Sequence, residues 1–401
     1  MANATLSPHR TTPPAAPGLP HFAALDSLRA LAAGLVFLYH FHVLEPGSGL
    51  SLFTHLPVLQ IGWIGVDLFL LISGFVITRS GLSQNALSTP QDRRQFMVRR
   101  LARIVPLYLV TSVFWLVWVD PSPVLQGWST TLMQIGSHLV FLHNLWPSTH
   151  GSINGPTWSI ALEMQFYVFI ALTLRFMPRG APWKWLLGLM LLAWAFKWAV
   201  ALGLRGADNA VPLMVIYSGE LPGTLDEFGL GIFLALMLHR QPGWLQRWSQ
   251  PAWRHCLLWL ALFGLGFNAC VQVMAHHGDY WGNAWMVVFW KTGLVVSFFF
   301  LLLAALSVPG GVQGLLKPLN YLGQISYGIY LWHMPVLKLW QQSGTLHGGP
   351  LLAAVTGCTL ALAVLTWHGL ERPLSQALPR LPWIQRWCQG AAAPRRRHAP
   401  T

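Results

Sequence analysis

Charge is what this sequence has least of. Only 9% of its 401 residues are charged, and just 12 are acidic. A soluble domain carries about 25% charged residues, so a water-exposed globule of this size is excluded. Cysteine is scarce as well. The four present, Cys256, Cys270, Cys358 and Cys388, form no CxxC pair, and three lie in apolar runs. That favours neither a disulfide framework nor a zinc site, and reads them as packing residues. Three further patterns are missing: the short alternating segments of a membrane β-barrel, any repeat of 20–50 residues, and a cleavable signal peptide. The first 20 residues are instead polar and rich in Pro, Ala and Thr, a composition that does not bury a core. The reading is a disordered N-terminal tail over 1–20, one membrane domain over 21–374, and a basic C-terminal tail over 375–401.

Apolar length is what the chain has in abundance. Hydrophobic residues make up 54% of it, in runs long enough to cross about 30 Å of hydrocarbon. Backbone groups in lipid must be satisfied within the chain, which helices of this length do. The expected class is an all-α polytopic bundle of about ten spans, near 24–44, 60–78, 103–119, 157–177, 184–204, 222–239, 255–275, 285–307, 319–340 and 351–371. A further apolar stretch at 132–142 is too short for a crossing. It leaves 121–156 as an outer loop holding a re-entrant or surface helix.

The formal net charge of +13 would raise the question of nucleic acid in a soluble protein. Here it reads as topology, with the lipid bilayer as partner and no nucleic acid. With both termini cytoplasmic and 132–142 not crossing, the inner loops and tail collect nearly every arginine and lysine outside the spans. Arg205 is almost alone in the outer loops. That distribution follows the positive-inside rule and suits a bacterial cytoplasmic (inner) membrane.

Ionisable residues within spans are costly, so each is a functional candidate. In LDSLRALAAGLVFLYH, Arg29 and His40 are eleven residues apart. At 100° per residue they share a helix face, separated by about 16 Å along the axis. Asp26 lies three residues before Arg29, within pairing reach. A plainer reading makes His40 a packing histidine and Arg29 an interfacial anchor that snorkels to lipid phosphates. Asp67, Glu163 and His333 fall at a similar depth to His40, about 6–11 Å below the outer surface. Two imidazoles and two carboxylates in one layer can supply a base and its orienting partners, although shared depth is not contact. At the cytoplasmic edge, RRQFMVRRLARIVPLY sets Arg99, Arg100 and Arg103 at a helix start. Guanidinium groups bind phosphate oxygens there, unless these arginines serve only as anchors.

These motifs together resemble the acyltransferase-3 family of integral membrane O-acyltransferases. LDSLRALAAGLVFLYH resembles its first-span Arg/His signature, GVDLFLLISGFVIT its second span and RRLARIVPLY its basic third-span motif. TWSIALEMQFYVF, ISYGIYLWHMP and GLERPL follow in family order over about residues 22–374. The resemblance implies transfer of an acyl group, often acetyl, from cytosolic acyl-CoA to a hydroxyl of a sugar, glycan or glycosylated small molecule. It implies catalytic roles for His40, Arg29 and Glu163, and CoA binding by Arg99, Arg100 and Arg103. Supporting places fall to Asp26, Asp67, Ser73, Trp158, Ser159, Tyr167, Tyr327 and His333. Larger relatives carry a fused extracytoplasmic SGNH-type domain. None is read here, so the expectation is action alone or with a separate extracytoplasmic partner. No metal is expected: the His276–His277 and His138/His143 pairs lack a carboxylate or cysteine to complete a ligand set. The competing class is a polytopic transporter or lipid-linked sugar flippase. Against it stand the absence of internal symmetry and an Arg/His pair that such a protein does not need. Many of the 22 tryptophans lie near span ends as an interfacial belt requires, and none is assigned to sugar.

Overall fold

The computed structural model describes residues 23–240, 243 and 250–390, all in helices and their connections, with no strand among them. The long helices are α1 (Ala23–Leu44), α2 (Ile64–Leu82), α3 (Pro90–Phe114), α4 (Trp128–Leu139), α5 (Trp158–Thr173), α6 (Pro182–Gly203), α7 (Leu225–Arg240), α8 (Trp253–His277), α9 (Lys291–Leu306), α10 (Ser326–Ser343) and α11 (Gly348–Thr366). Among the described residues nine helices, counted with their 3-10 and π extensions, are long and apolar enough to cross a membrane. The chain is a multi-pass helical membrane protein.

The expected span at 319–340 is the one that differs. It divides at Ile325 into a short helix, Lys317–Gln324, and α10. The 18 residues of α10 rise about 27 Å, but they include His333, Lys338, Gln341 and Gln342. Its middle is covered by neighbouring helices rather than lipid, so its composition need not be that of a lipid-facing span. The one α-helix of the segment 121–156 is the 12-residue α4, about 18 Å long and too short to cross. Its polar Gln134, Ser137 and His138 are buried, while Trp128, Leu132, Ile135 and Leu139 are exposed. An apolar stripe with that spacing lies along an interface.

Local sequence explains how the site-bearing helices are set. Helix α3 starts at a capping box, with the Thr89 hydroxyl accepting from the Asp92 amide at 3.1 Å and the Asp92 carboxylate accepting from the Thr89 amide at 3.0 Å. Pro90 supplies the preset first turn. Helices α2 and α7 pack backbone to backbone: a Cβ on Gly74 would strike the Phe228 carbonyl, and one on Gly231 the Leu71 carbonyl. Small residues at such a crossing let van der Waals packing do what the hydrophobic effect does not do within lipid. At the basic end of α1, Gly323 lies against the Asp26 carbonyl, and the Ser27 hydroxyl donates to Asn320 at 2.5 Å. That joins α1 to the short helix preceding α10.

The tail expected over 1–20 lies outside the described residues. Of the tail expected over 375–401, the described part is helical, ending in Pro382–Gln389. This last helix returns to α3, where Arg94 donates to the Trp387 carbonyl at 3.2 Å.

Candidate active site

The cavity inside the bundle is lined by Arg29 of α1, Ser73 of α2, Arg100 and Arg103 of α3, Ser159, Glu163 and Tyr167 of α5, and Ser326, Tyr327 and Tyr330 of α10. It encloses about 770 Å³ of empty space, counting its open mouth. Three guanidiniums face one carboxylate across it, and Arg29 and Arg100 each interact electrostatically with Glu163. Arg29 is held by Asp26 at 3.1 Å, the pairing that the i, i+3 spacing predicts. Arg100 lies over the rings of Phe96 and Tyr167, at 5.4 and 5.8 Å, and Arg103 over Trp367 at 5.9 Å. Outside the lining, Arg29 is paired with Asp26 and Arg103 interacts electrostatically with Glu371. Within the lining, three guanidiniums outnumber the one carboxylate, Glu163.

Arg99 is not part of it. Consecutive helical residues point 100° apart, and Arg99 turns out to the surface, where it donates to Gln84. The trio expected to face one ligand is a pair plus an outlying arginine.

Glu163 is also placed differently from the sequence reading. Its carboxylate accepts from the Ser73 hydroxyl at 3.2 Å and the Tyr167 hydroxyl at 2.5 Å. Asp67 is elsewhere again, 2.9 Å from Lys291. Neither carboxylate orients His40, because equal depth on separate helices does not set equal facing. His40 meets His333 instead: His333 Nε2 and His40 Nδ1 are 3.1 Å apart. His333 Nδ1 lies 3.2 Å from the Ile329 carbonyl, which can only accept. That bond fixes the proton of neutral His333 on Nδ1 and makes its Nε2 an acceptor. His40 must then donate from Nδ1, which leaves the lone pair of its Nε2 free.

The remaining predicted residues brace this arrangement. Ser159 and Tyr330 share a 2.6 Å hydroxyl–hydroxyl bond. The Tyr330 ring is 5.8 Å from that of His333, so Tyr330, a residue of the chamber wall, packs against the histidine pair. Tyr327 donates to the Ile104 carbonyl at 2.8 Å, tying α10 to α3. Trp158 stacks on His150 at 5.5 Å, away from the chamber.

Sequence reasoning missed a second polar centre. Lys197 of α6 lies 3.0 Å from Asp226 of α7, and Thr292 of α9 donates to the same carboxylate. With the Asp67–Lys291 pair and the fully buried Glu227, this makes five ionisable groups among α2, α6, α7 and α9. The signal was available: Lys197 and Lys291 are lone charges in apolar runs, and Asp226–Glu227 opens one. Among the described residues no group of three or more His, Cys, Asp or Glu side chains could hold a metal ion.

The fold is that of a membrane protein with an arginine-lined chamber between its spans. Residues 22–368 match the acyltransferase domain of the acyltransferase-3 family, and the chain belongs to that family. It is an acyltransferase. It is 29% identical over 369 residues to the Komagataeibacter xylinus protein named membrane-bound transacylase BcsY, covering 87% of this chain and 81% of that one. It is 25% identical over 374 residues to the peptidoglycan O-acetyltransferase OatA of Listeria monocytogenes. It is 26% identical over 349 residues to the O-acetyltransferase OatA of Staphylococcus aureus. These alignments cover 88% and 79% of this chain but only 55% and 51% of the two relatives, so the chain spans about half their length. No solved structure matches.

Proposed function

We propose that this protein moves an acyl group, acetyl in the first instance, from cytosolic acyl-CoA to a hydroxyl of a sugar, glycan or glycosylated small molecule across the bacterial cytoplasmic membrane. The observation that carries this reading is the arginine-lined chamber whose wall residue Tyr330 packs against His333 of the His40–His333 pair, although neither histidine itself lines the chamber. In the proposed orientation both termini and the basic ends of α1 and α3 are cytoplasmic. Arg29, Arg100 and Arg103 hold the phosphates of CoA, which guanidinium geometry suits. The pantetheine arm extends past Tyr330 and presents the thioester near His40. Glu163, anchored by Ser73 and Tyr167, keeps the arginines apart and aimed into the chamber.

His40 acts as general base through its free Nε2. It takes the proton as the acceptor oxygen attacks the thioester carbonyl. The C–O bond forms, the C–S bond breaks, and the proton passes to the departing thiolate to give CoA-SH. His333 performs the orienting role that a carboxylate has in hydrolase triads, as a neutral relay to the Ile329 carbonyl. The named activity of the OatA relatives, O-acetylation, supports acetyl and a glycan acceptor. An extracytoplasmic partner would bring that acceptor in.

The test uses purified protein in lipid nanodiscs with radiolabelled acetyl-CoA. Wild-type protein should bind acetyl-CoA and release CoA-SH when acceptor is added, and His40→Ala should bind it without release. Release by His40→Ala at the wild-type rate would end the base proposal. Movement of a sugar lipid across the bilayer without CoA release would favour the flippase.

A further inference from the structure

A second cleft opens at the end of the bundle opposite the arginines, which the proposed orientation puts outside. It is lined by Trp198 and Arg205 at the end of α6, by Met214, and by Asp279, Trp281, Asn283 and Trp285 before α9, among others. From this cleft we infer a carbohydrate subsite, where one pyranose of an extended acceptor rests while another of its residues is acylated at His40. The inference rests on the reading of a glycan acceptor given above.

The chemistry of the lining points to a sugar. Trp198 and Trp285 meet edge to face with centroids 5.0 Å apart, and Trp285 is 63% exposed. An exposed indole at a cleft mouth offers a flat apolar face to the C–H face of a pyranose, with little side-chain entropy to lose. Around it stand a cation, a carboxylate and an amide: Arg205, Asp279 and Asn283. A polyol needs donors and acceptors together, and this set has both with no net charge. A phospholipid phosphate would be repelled by the carboxylate.

The loop is built to hold that carboxylate in place. Asp279 Oδ1 accepts from the Gly282 amide at 2.8 Å, and Oδ2 sits where a Cβ of residue 282 would be. Asn283 Oδ1 accepts from the Trp285 amide at 3.0 Å, so its NH₂ group remains for a ligand. Arg205 is the basic residue that topology leaves on the wrong side, and among the described residues it forms no ion pair.

Packed side chains link the wall of the cleft to α1 near His40. Trp281 meets Tyr280 at 4.6 Å and Tyr280 meets Trp63 at 5.7 Å. The neighbouring Gly62 packs against Leu35 and Tyr39 of α1, and the Tyr39 ring is 5.5 Å from that of His40. His40 is not among the residues lining the cleft, so the sugar held there is a different unit from the one acylated.

The experiment is titration calorimetry on the full chain in nanodiscs, because sugar-headed detergents would compete. The probes are cellotetraose, chitotetraose and dihexanoyl-phosphatidylglycerol, with acetyl-CoA binding measured in parallel. At least one oligosaccharide should bind saturably. Trp285→Ala and Asp279→Ala should each weaken that binding at least tenfold, while Trp253→Ala, an exposed tryptophan on α8, should not. Binding of neither oligosaccharide, equal binding by both cleft variants, or displacement by the phospholipid would overturn the subsite. If acetyl-CoA binds and sugar does not, the subsite alone fails. If sugar binds and acetyl-CoA does not, the donor reading fails and the subsite stands.

Discussion

The bundle holds two buried polar centres, and they are built in opposite ways. In the chamber, Arg29, Arg100, Arg103 and Glu163 face empty space, and cations outnumber the carboxylate. Between α2, α6, α7 and α9, Lys197 is matched to Asp226 and Lys291 to Asp67. Only Glu227 lacks a partner: both its oxygens are buried without a hydrogen bond. Those five groups line neither described cavity. Charges of opposite sign that fill each other's coordination hold helices in register, whereas excess charge around a void waits for a ligand. The comparison separates a site from a brace using the same residue types.

The largest expected effect tests the site. His40→Ala should lower acyl transfer by about 10²–10⁴-fold, the usual contribution of a positioned base, with normal elution and acetyl-CoA binding. His333→Phe should give a smaller loss of kcat at unchanged KM, because it removes the acceptor that fixes the His40 tautomer. Equal activity of His333→Phe and wild type would break the relay.

The next effect tests the brace. Lys197→Met alone leaves Asp226 buried without its cation, which costs about 3–5 kcal/mol and should show as a lower unfolding temperature and poor yield. The double variant Lys197→Met with Asp226→Leu should recover most of that stability and retain transfer activity. If the double variant folds but is inactive, the second centre belongs to the chemistry and the comparison falls.

A smaller effect sharpens the division within α3. Arg103→Gln removes one charge-assisted bond to phosphate, worth about 1.5–3 kcal/mol, so KM for acetyl-CoA should rise roughly 10–100-fold with little change in kcat. Arg99→Gln should stay near wild type, since Arg99 faces Gln84 rather than the chamber. Comparable KM increases in both would put the donor on the outer face of the helix.

The contrast between Arg99 and Arg103 shows where sequence stops being informative. Span existence was legible because length and apolarity alone determine it, and the Asp26–Arg29 contact because it is local to one helix. Helix phase predicts a common face for Arg29 and His40, whereas Arg29 lines the chamber and His40 meets His333 outside that lining. Which residue from another helix completes that face depends on inter-helix rotation, which single-helix periodicity does not contain. His333 therefore replaced Glu163 and Asp67 beside His40. Lys197, Asp226, Glu227 and Lys291 were passed over because no motif contained them, although each carried the signal used for Asp67. The shortened span at 319–340 follows from the same blindness: hydropathy counts residues and not what shields them.

The smallest effect concerns the segment over the chamber's far end. His138 and His143 stack at 4.0 Å with rings 6° from parallel, which suits two neutral imidazoles and no cation. His138 Nδ1 is 2.7 Å from the Gln134 carbonyl, and burial lowers His138 to about 4 and His143 to about 3. In the unfolded chain both return to an ordinary value near 6.5. Above that pH neither form binds the extra proton and the pair has no effect on stability. Below it the unfolded chain takes up protons that the folded pair refuses, so stability falls as pH drops from about 6.5 toward 3–4. At pH 5.5 the loss is about 1.4 kcal/mol per histidine, one pKa unit's worth. His150, lowered to about 4 by burial, adds in the same direction. Glu220, raised to about 8 by burial, opposes it, since its protonated folded form is favoured as pH falls toward 4.5. Thermal unfolding in nanodiscs between pH 7.5 and 5 should show a net decline for wild type and a shallower one for His143→Phe. A slope unaltered by His143→Phe would mean that the stacked pair carries none of the acid sensitivity, and that its place between the end of α4 and the turn after it is packing alone.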